Sequence, residues 1–278
     1  MSVVVTVKVS EGLVLVADSA GTIEGEIKGP GVQGRGVLQI YYHAKKISHL
    51  RDYPVGTLTW GISNLGARNI ESLIKEYEPN LPPVEEAGQY KVEEIARNLS
   101  KSISKEYDKT FQTIKEESKR PVLGIIVCGY STGNFLPEQY RRIFPVEREI
   151  VNLRPDSPDG KPNFGANWYG VTDAIARLFL GFDPRLEDEF VNAGFEREKV
   201  RSIIRRFEYP VIFDGMPLQD AIDLAVFLAS ASIWRSRFHV GAPTVGGDID
   251  VAVITHRGFE WIRRKQWKAE IPLPNEEG

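Results

Sequence analysis

The alternation of strand-forming and helix-forming blocks constrains the fold of this chain more than any other feature. The order is strands, two helices, strands, two or three helices, and strands. Regular βαβ alternation would indicate a parallel sheet and strands alone would indicate a sandwich, so neither architecture fits. The order instead predicts an α+β fold in which two antiparallel sheets lie between helical layers, a four-layer αββα sandwich.

The strand blocks rest on apolar and β-branched runs. Val3–Val9 and Leu13–Ala17, separated by Ser10-Glu11-Gly12, predict a β-hairpin at the start of the chain. The unbroken apolar run Val122–Val127 is typical of a buried strand. Ile249–Thr255 and the residues after it predict a last hairpin, with its turn at His256-Arg257-Gly258. Residues 21–36, which hold six glycines and Pro30, predict a loop.

The helical blocks rest on apolar residues that recur every three or four positions, which places them on one face of a helix. Four such sets occur: Ile70, Leu73, Ile74 and Tyr77; Val92, Ile95, Ala96, Leu99, Ile103 and Tyr107; Val171, Ile175, Leu178 and Phe179; and Leu218, Ile222, Ala225, Val226, Ala229 and Ile233. No linker separates the blocks into two units. The sequence therefore predicts one domain over residues 1–278, with residues 263–278 as an extended C-terminal tail.

Composition excludes several classes of function. With 35 basic and 38 acidic residues the net charge is −3, which gives no electrostatic reason to expect nucleic acid or an anionic membrane as a partner. No run reaches the length of a membrane span, and no basic segment precedes the first apolar run as in a signal peptide. A cytoplasmic protein is the expectation.

Metal and cofactor sites also lack support in the sequence. The lone Cys128 excludes a disulfide framework and a cysteine-based metal site. The four histidines show no ligand spacing, so we predict neither a metal nor a cofactor. The GxGxxG match over residues 29–34 precedes a predicted strand, whereas the dinucleotide fingerprint must open a helix.

A second short motif points to a serine hydrolase. Gly129-Tyr130-Ser131-Thr132-Gly133 matches the GxSxG nucleophile elbow and follows the buried strand. The elbow must lead into a helix, and Asn134-Phe135-Leu136-Pro137 does not predict one. Ser131 therefore remains a weaker alternative nucleophile, with a hairpin turn as the simpler interpretation.

The strongest candidate site is the start of the chain. Met1 is followed by Ser2, and removal of the initiator methionine would leave a serine with both a hydroxyl and a free α-amine. An α-amine has a pKa near 7.7–8.0, so part of it is neutral at physiological pH. Such an amine can act as the general base for its own side chain.

Several segments resemble the β-type subunits of proteasomes. Residues 2–19 resemble the first hairpin of that family, and Lys45-Lys46-Ile47 resembles its "KKI" strand. Thr59-Trp60-Gly61 resembles the segment that forms its oxyanion hole, and residues 246–255 resemble its "GGxIDVAVIT" stretch. The resemblance implies the αββα fold of the N-terminal nucleophile (Ntn) hydrolases, a peptide or protein substrate, a homo-oligomeric ring and an ATPase partner.

The resemblance also implies a role for each matched residue. Ser2 lies at the position of the nucleophile, Asp18 at the acidic position and Lys46 at the active-site cation, while the N–H of Gly61 would form the oxyanion hole. The chain departs from the family where supporting groups are expected, so Ser236 or Asn167 would have to supply those hydrogen bonds. The chief alternative is a non-catalytic ring or scaffold subunit.

Overall fold

The structure is a computed structural model, and it describes residues 2–29, 32–86 and 88–267. Those residues form fourteen β-strands and six α-helices. In chain order the strands are β1 Val3–Val9, β2 Gly12–Ala17, β3 Gly21–Gly29, β4 Val32–Tyr41, β5 Ile47–His49, β6 Val55–Gly61, β7 Asn64–Leu65, β8 Arg68–Asn69, β9 Leu123–Gly129, β10 Glu138–Phe144, β11 Val151–Asn152, β12 Gly165–Gly170, β13 Asp250–Thr255 and β14 Gly258–Arg263. The helices are α1 Ile70–Tyr77, α2 Val92–Thr110, α3 Asp173–Leu180, α4 Arg185–Asn192, α5 Arg197–Ile204 and α6 Leu218–Phe238.

Two five-stranded antiparallel sheets dominate the fold. The first has the strand order β12-β1-β2-β13-β14, and the second has the order β11-β10-β9-β6-β5. Both predicted hairpins are confirmed, and they lie side by side in the first sheet because β2 pairs with β13. The apolar run within β9 is buried at every residue and lies at the centre of the second sheet, as its composition predicts.

Each sheet buries one face against helices. Alternate valines of β1, from Val3 to Val9, pack with Ala225 and Leu228 of α6. In the second sheet, Leu123 and Ile125 of β9 pack with residues of α1 and α2. Burying one such side chain contributes about 1.5–3 kcal/mol, so these faces supply much of the driving force for folding.

A third apolar cluster combines residues of both sheets. Val4 and Leu15 of the first sheet meet Leu58, Trp60 and Ile126 of the second. Since successive side chains of a strand point to opposite faces, Val4 contacts this cluster while Val3 and Val5 contact α6. The fold is therefore a mixed α/β fold built on antiparallel sheets that pack against helices.

Side-chain hydrogen bonds to the first N–H groups of α1 and α6 fix where these two helices begin. The side chain of Asn69 accepts a hydrogen bond from the N–H of Ser72 at 2.7 Å and so caps α1. Pro217 precedes α6, and the first N–H of that helix, from Leu218, donates to Glu11 at 2.9 Å. Glu11 lies in the turn between β1 and β2, so the hairpin and α6 are joined at this end.

The predicted loop over residues 21–36 is wrong. Most of this segment belongs to a hairpin of β3 and β4, which pair with each other alone in a two-stranded sheet. Strand pairing needs only backbone N–H and C=O groups, which glycine retains. Gly25 pairs with Gly36, and a Cβ at Gly25 would lie 2.5 Å from a methyl group of Leu38, so here glycine leaves room for a cross-strand neighbour.

The predicted helices are largely confirmed, and the predicted C-terminal tail lies mostly outside the described residues. Helices are confirmed near all four predicted apolar sets, but α4 and α5 were not predicted separately. In the predicted tail, Arg263 ends β14, and residues 268–278 lie outside the described part, as does Met1. No described helix combines the length and apolar character needed to cross a membrane.

Candidate active site

Ser2 directly precedes β1 and is almost fully buried, with 3% of its surface exposed. Its carbonyl oxygen accepts a hydrogen bond from the N–H of Val171 at 2.7 Å. Gly170, the partner of Val3 in the strand pairing, lies directly against that carbonyl with a φ of +91°. A Cβ at Gly170 would lie 1.9 Å from the Ser2 oxygen, so this approach requires glycine.

Asp18 follows β2 and is fully buried, and its carboxylate organises the site. Oδ1 accepts from the N–H of Val3 at 2.9 Å and from Nζ of Lys46 at 2.5 Å. Oδ2 accepts from the N–H groups of Ala20 and Gly246, both at 3.1 Å. A buried carboxylate needs such donors to offset its lost hydration.

Lys46 lies just before β5 and is anchored by its backbone as well as its side chain. Its carbonyl oxygen accepts from the N–H of Thr59 on β6 at 2.9 Å. Its side chain is 7% exposed and pairs with Asp18. Burial lowers the pKa of Lys46, and the attraction of the Asp18 carboxylate opposes that change.

Gly61 is the last residue of β6 and has a φ of +93°. Successive N–H groups of a strand point to opposite edges, so the N–H of Gly61 lies on the same edge as that of Thr59, which donates to Lys46. A Cβ at Gly61 would lie 2.1 Å from the carbonyl oxygen of Val122 on the other side. Only glycine therefore fits this position without displacing the neighbouring chain.

Three of the predicted residues line one cavity of about 520 Å³. Ser2, Lys46 and Gly61 contribute to its wall, while Asp18 lies behind Lys46 and holds it. The β3–β4 hairpin contributes Thr22 and other residues to the same wall. The rest of the lining comes from the segments around β5, β6 and α1, together with Trp267.

The predicted supporting residues have different surroundings. Asn167 lies on β12 opposite Thr6, and its amide donates to the Thr6 hydroxyl at 3.3 Å. The structure therefore joins Asn167 to Thr6 rather than to Ser2. Ser236 is buried near the C-terminal end of α6. Neither residue lines the cavity that Ser2, Lys46 and Gly61 share.

Several groups that hold the site were not predicted. They belong to the backbone: the N–H of Val171, which donates to the Ser2 carbonyl, and the N–H of Gly246, which donates to Asp18. Gly170 also lies directly against the Ser2 carbonyl. The carbonyl oxygen of Gly246 also accepts from the N–H of Ser19 at 3.0 Å, so Gly246 is bonded both to the side chain of Asp18 and to the backbone of the next residue. Gly170 ends β12, and a glycine at that place often marks close backbone approach, but β12 was not predicted from the sequence.

The alternative nucleophile Ser131 has a structural role. Its hydroxyl oxygen accepts from the N–H of Val92, the first residue of α2, at 2.9 Å. After Ser131 the chain turns into β10, so β9 leads into a strand and not into the helix that a nucleophile elbow needs. Cys128 is also buried, and burial raises the pKa of its thiol, which disfavours the reactive thiolate.

The dinucleotide motif does not meet its structural requirement. Gly29 ends β3 and Gly34 lies in β4, while Pro30 and Gly31 lie outside the described residues. A strand follows the motif where a phosphate-binding helix would have to begin.

Solved structures that are similar to this one include two Anbu structures. Anbu (ancestral beta-subunit) from Yersinia bercovieri matches with a TM-score of 0.51 at 11% sequence identity, over 94% of this chain and 86% of the other. A Gly-1 mutant of Anbu from Hyphomicrobium sp. strain MC1 matches with a TM-score of 0.53 at 18% identity, over 98% of this chain and 89% of the other. The likeness shows that the chains share a fold.

The expected membership of the proteasome β-type subunit family is wrong. No family model matches the chain, and no curated protein matches it. The two Anbu structures match at low identity, which supports a common fold alone. Valine-rich strands and glycine turns are general requirements of buried hairpins, so the matching segments around Ser2 and Gly246 do not establish a family.

Proposed function

We propose that this protein is an Ntn hydrolase that cleaves amide bonds in peptides or proteins, with Ser2 as its nucleophile. One observation carries the proposal: Ser2 and Lys46 line the same cavity, and the buried Asp18 bonds both to Lys46 and to the residue after Ser2. A buried lysine–carboxylate pair beside a hydroxyl in a cavity is an arrangement that can activate a nucleophile.

The proposal requires cleavage of the peptide bond before Ser2. Removal of Met1 would free the α-amine of Ser2 in the cavity region. That amine then accepts the hydroxyl proton as the serine attacks, since its ordinary pKa of about 7.7–8.0 leaves part of it neutral near pH 7. The cationic Lys46 favours the negative charge that develops on the attacking oxygen.

The reaction proceeds in two steps. The Ser2 oxygen bonds to the carbonyl carbon of the substrate, and the α-amine passes the proton to the leaving nitrogen as the amide C–N bond breaks. The resulting ester is hydrolysed by water, which releases the acid and regenerates the serine. The N–H of Gly61 donates to the substrate oxygen while it carries negative charge, as in an oxyanion hole.

The proposal includes the four-layer αββα arrangement. The three apolar clusters support it, because one combines both sheets and the other two join each sheet to its own helices. In this arrangement the start of β1 and the end of β6 belong to different sheets, so the cavity lies where the two sheets meet.

The proposal also includes a homo-oligomer. Helix α6 exposes Phe227, Trp234 and Phe238, each by more than half of its surface. Their spacing of seven and four residues places them on one helix face. Large apolar side chains grouped in this way favour contact with another copy of the chain over contact with water. Native mass measurement should give a multiple of the 31.3 kDa chain mass, and Trp234→Glu should lower it; a monomeric wild type would contradict this part.

The catalytic proposal is tested with a peptide epoxyketone or vinyl-sulfone probe. Wild type and Ser131→Ala should be labelled, and Ser2→Ala should lose labelling by at least about 10³-fold. Circular dichroism should show that all three proteins are folded. Labelling that survives Ser2→Ala and disappears in Ser131→Ala would reverse the assignment.

A non-catalytic scaffold is the second candidate function. It is favoured by the position of Asn167, which bonds to Thr6 and leaves the Ser2 amine without that expected support. A folded wild-type protein that begins at Ser2 and reacts with neither probe would favour this function over the hydrolase.

A further inference from the structure

A groove rich in basic residues lies away from the Ser2 cavity, between α2, β10 and the segment after β10. Its volume is about 300 Å³. It is lined by five basic side chains, Arg97, Lys101, Lys105, Arg142 and Arg148, against two carboxylates, Asp108 and Glu149. We call it the basic groove; it shares no lining residue with the Ser2 cavity.

The helix contributes its cations from one face. Arg97, Lys101 and Lys105 follow one another at intervals of four residues, which places them side by side on α2. Lys101 and Lys105 repel one another at this spacing, which reduces the stability of the helix, whereas the charge of Arg97 is offset by an ion pair with Glu93 at 2.7 Å. A site for an anion accounts for this arrangement better than a purely structural helix face does.

Arg142 gives the groove a preorganised donor. Its guanidinium donates only to neutral oxygens, including the hydroxyls of Ser100 at 3.2 Å and Ser104 at 3.3 Å. It also lies 4.5 Å from the centre of the Phe144 ring. Burial lowers the pKa of Arg142, which reflects a charge that is removed from water without a contacting carboxylate.

The carboxylates near the groove already have partners. Asp108 pairs with Arg120 at 3.2 Å, and Glu149 pairs with Arg97 at 3.5 Å. Arg97 also pairs with Glu93, and Arg148 pairs with Glu117, both at 2.7 Å. Within the described ranges, Lys101, Lys105 and Arg142 form no ion pair. Three cations therefore line a small cavity with no neutralising contact.

We propose that the basic groove binds a phosphate-bearing anion. Guanidinium groups match the geometry of phosphate oxygens, and lysine ammonium groups supply further charge. A compact polyanion suits a 300 Å³ groove in which donors come from α2, β10 and the segment after β10. The anion is either a free condensed phosphate or the phosphate group of a nucleotide, and both present the same oxygens to Arg142. This inference does not depend on the function of Ser2.

Isothermal titration with tripolyphosphate, inorganic phosphate and ATP tests the proposal. Wild type should bind tripolyphosphate at one site per chain, and Lys101→Ala/Lys105→Ala should weaken that binding at least about tenfold. The matched control is Lys91→Ala/Lys115→Ala, which removes the same charge from exposed lysines that lie outside the groove and off this helix face, and it should change the affinity less than about twofold. Tighter binding of ATP than of tripolyphosphate would identify a nucleotide as the source of the phosphate.

Three results would overturn the proposal. The first is no saturable binding of any of the three anions by folded wild type. The second is equal weakening in both double variants, since it would indicate general electrostatic attraction. The third is a poly-glutamate peptide that binds more tightly than tripolyphosphate and loses that binding in Lys101→Ala/Lys105→Ala, because the groove would then take an acidic protein segment.

Discussion

Lys46 donates from Nζ to Oδ1 of Asp18 at 2.5 Å, and the same oxygen accepts from the backbone N–H of Val3 at 2.9 Å. One carboxylate oxygen therefore ties the candidate active-site cation to β1, the strand that begins directly after the candidate nucleophile. Displacing either partner should move the other, so the position of Ser2 and the charge of Lys46 are physically coupled.

The first prediction concerns this buried pair. Asp18→Asn and Lys46→Met should each lower the free energy of unfolding by about 3–5 kcal/mol, because each leaves a buried polar or charged group without its partner. The double variant should be less destabilised than the sum of the single changes by more than about 1 kcal/mol. Urea denaturation measures all four proteins. Strict additivity would show that the pair is not coupled.

The second prediction concerns pH. Burial lowers the pKa of Lys46 below its ordinary value of 10.5, so the folded protein loses this proton at a lower pH than the unfolded chain does. Below the lowered pKa, Lys46 is charged in both states, so the folded protein bears the whole free-energy cost of burying that charge. As pH rises from there towards 10.5, the folded protein loses this proton first, and the free energy of unfolding therefore increases.

Activity should change in the opposite direction over the same range. The rate of probe labelling should fall as Lys46 loses its charge, and Lys46→Arg should retain its rate to higher pH because arginine stays protonated. Labelling rates are measured from pH 6 to about 11 on protein shown to be folded by circular dichroism. An alkaline fall at the same pH in Lys46→Arg would assign the titration to another group.

The third prediction concerns the backbone that holds Ser2. Gly170→Ala would bring a Cβ within 1.9 Å of the Ser2 carbonyl oxygen, and Gly194→Ala offers a control with nearly the same φ, +93° against +91°, in open space. The control should cost about 1–2 kcal/mol for the positive φ alone. Gly170→Ala should cost more and should also reduce probe labelling. Equal losses of stability with unchanged labelling would contradict the proposed contact.

The fourth prediction concerns Ser131. Its alanine variant leaves the buried N–H of Val92 without its acceptor, which should lower the free energy of unfolding by about 1–3 kcal/mol. Probe labelling should remain at the wild-type rate, because Ser131 does not line the Ser2 cavity. Thermal denaturation and labelling are measured on the same preparation, and loss of labelling in a folded variant would give Ser131 a catalytic role.

The sequence predicted those parts of the fold that depend on side-chain pattern. The valines of β1 and the apolar faces of α1, α2 and α6 are recognisable because burial selects residue types at fixed spacing. The strand expected after residue 36 is the second half of β4. Strand β3 and the first half of β4 were missed because their pairing depends on the backbone, and their glycines carry no pattern of burial. Helices α4 and α5 bury only Val200 and Ile204, so their apolar signal is weak.

The difference between local sequence pattern and tertiary contact also explains which residues of the candidate site were predicted. Ser2, Asp18, Lys46 and Gly61 were predicted from short motifs, and the structure brings all four to one place. Asn167 was expected near Ser2, but the pairing of β1 with β12 puts it opposite Thr6. Strand register over more than 150 residues of intervening chain is set by tertiary packing, which a local motif does not encode.

Mass spectrometry of the probe-treated native protein tests whether Ser2 is an N-terminal nucleophile. If it is, the first tryptic peptide is Ser2–Lys8 and carries the probe at Ser2, and the Asp18→Asn variant is labelled far more slowly. Retention of Met1 in the native protein, or a probe adduct on any other residue with an unmodified Ser2–Lys8 peptide, would contradict this role of Ser2.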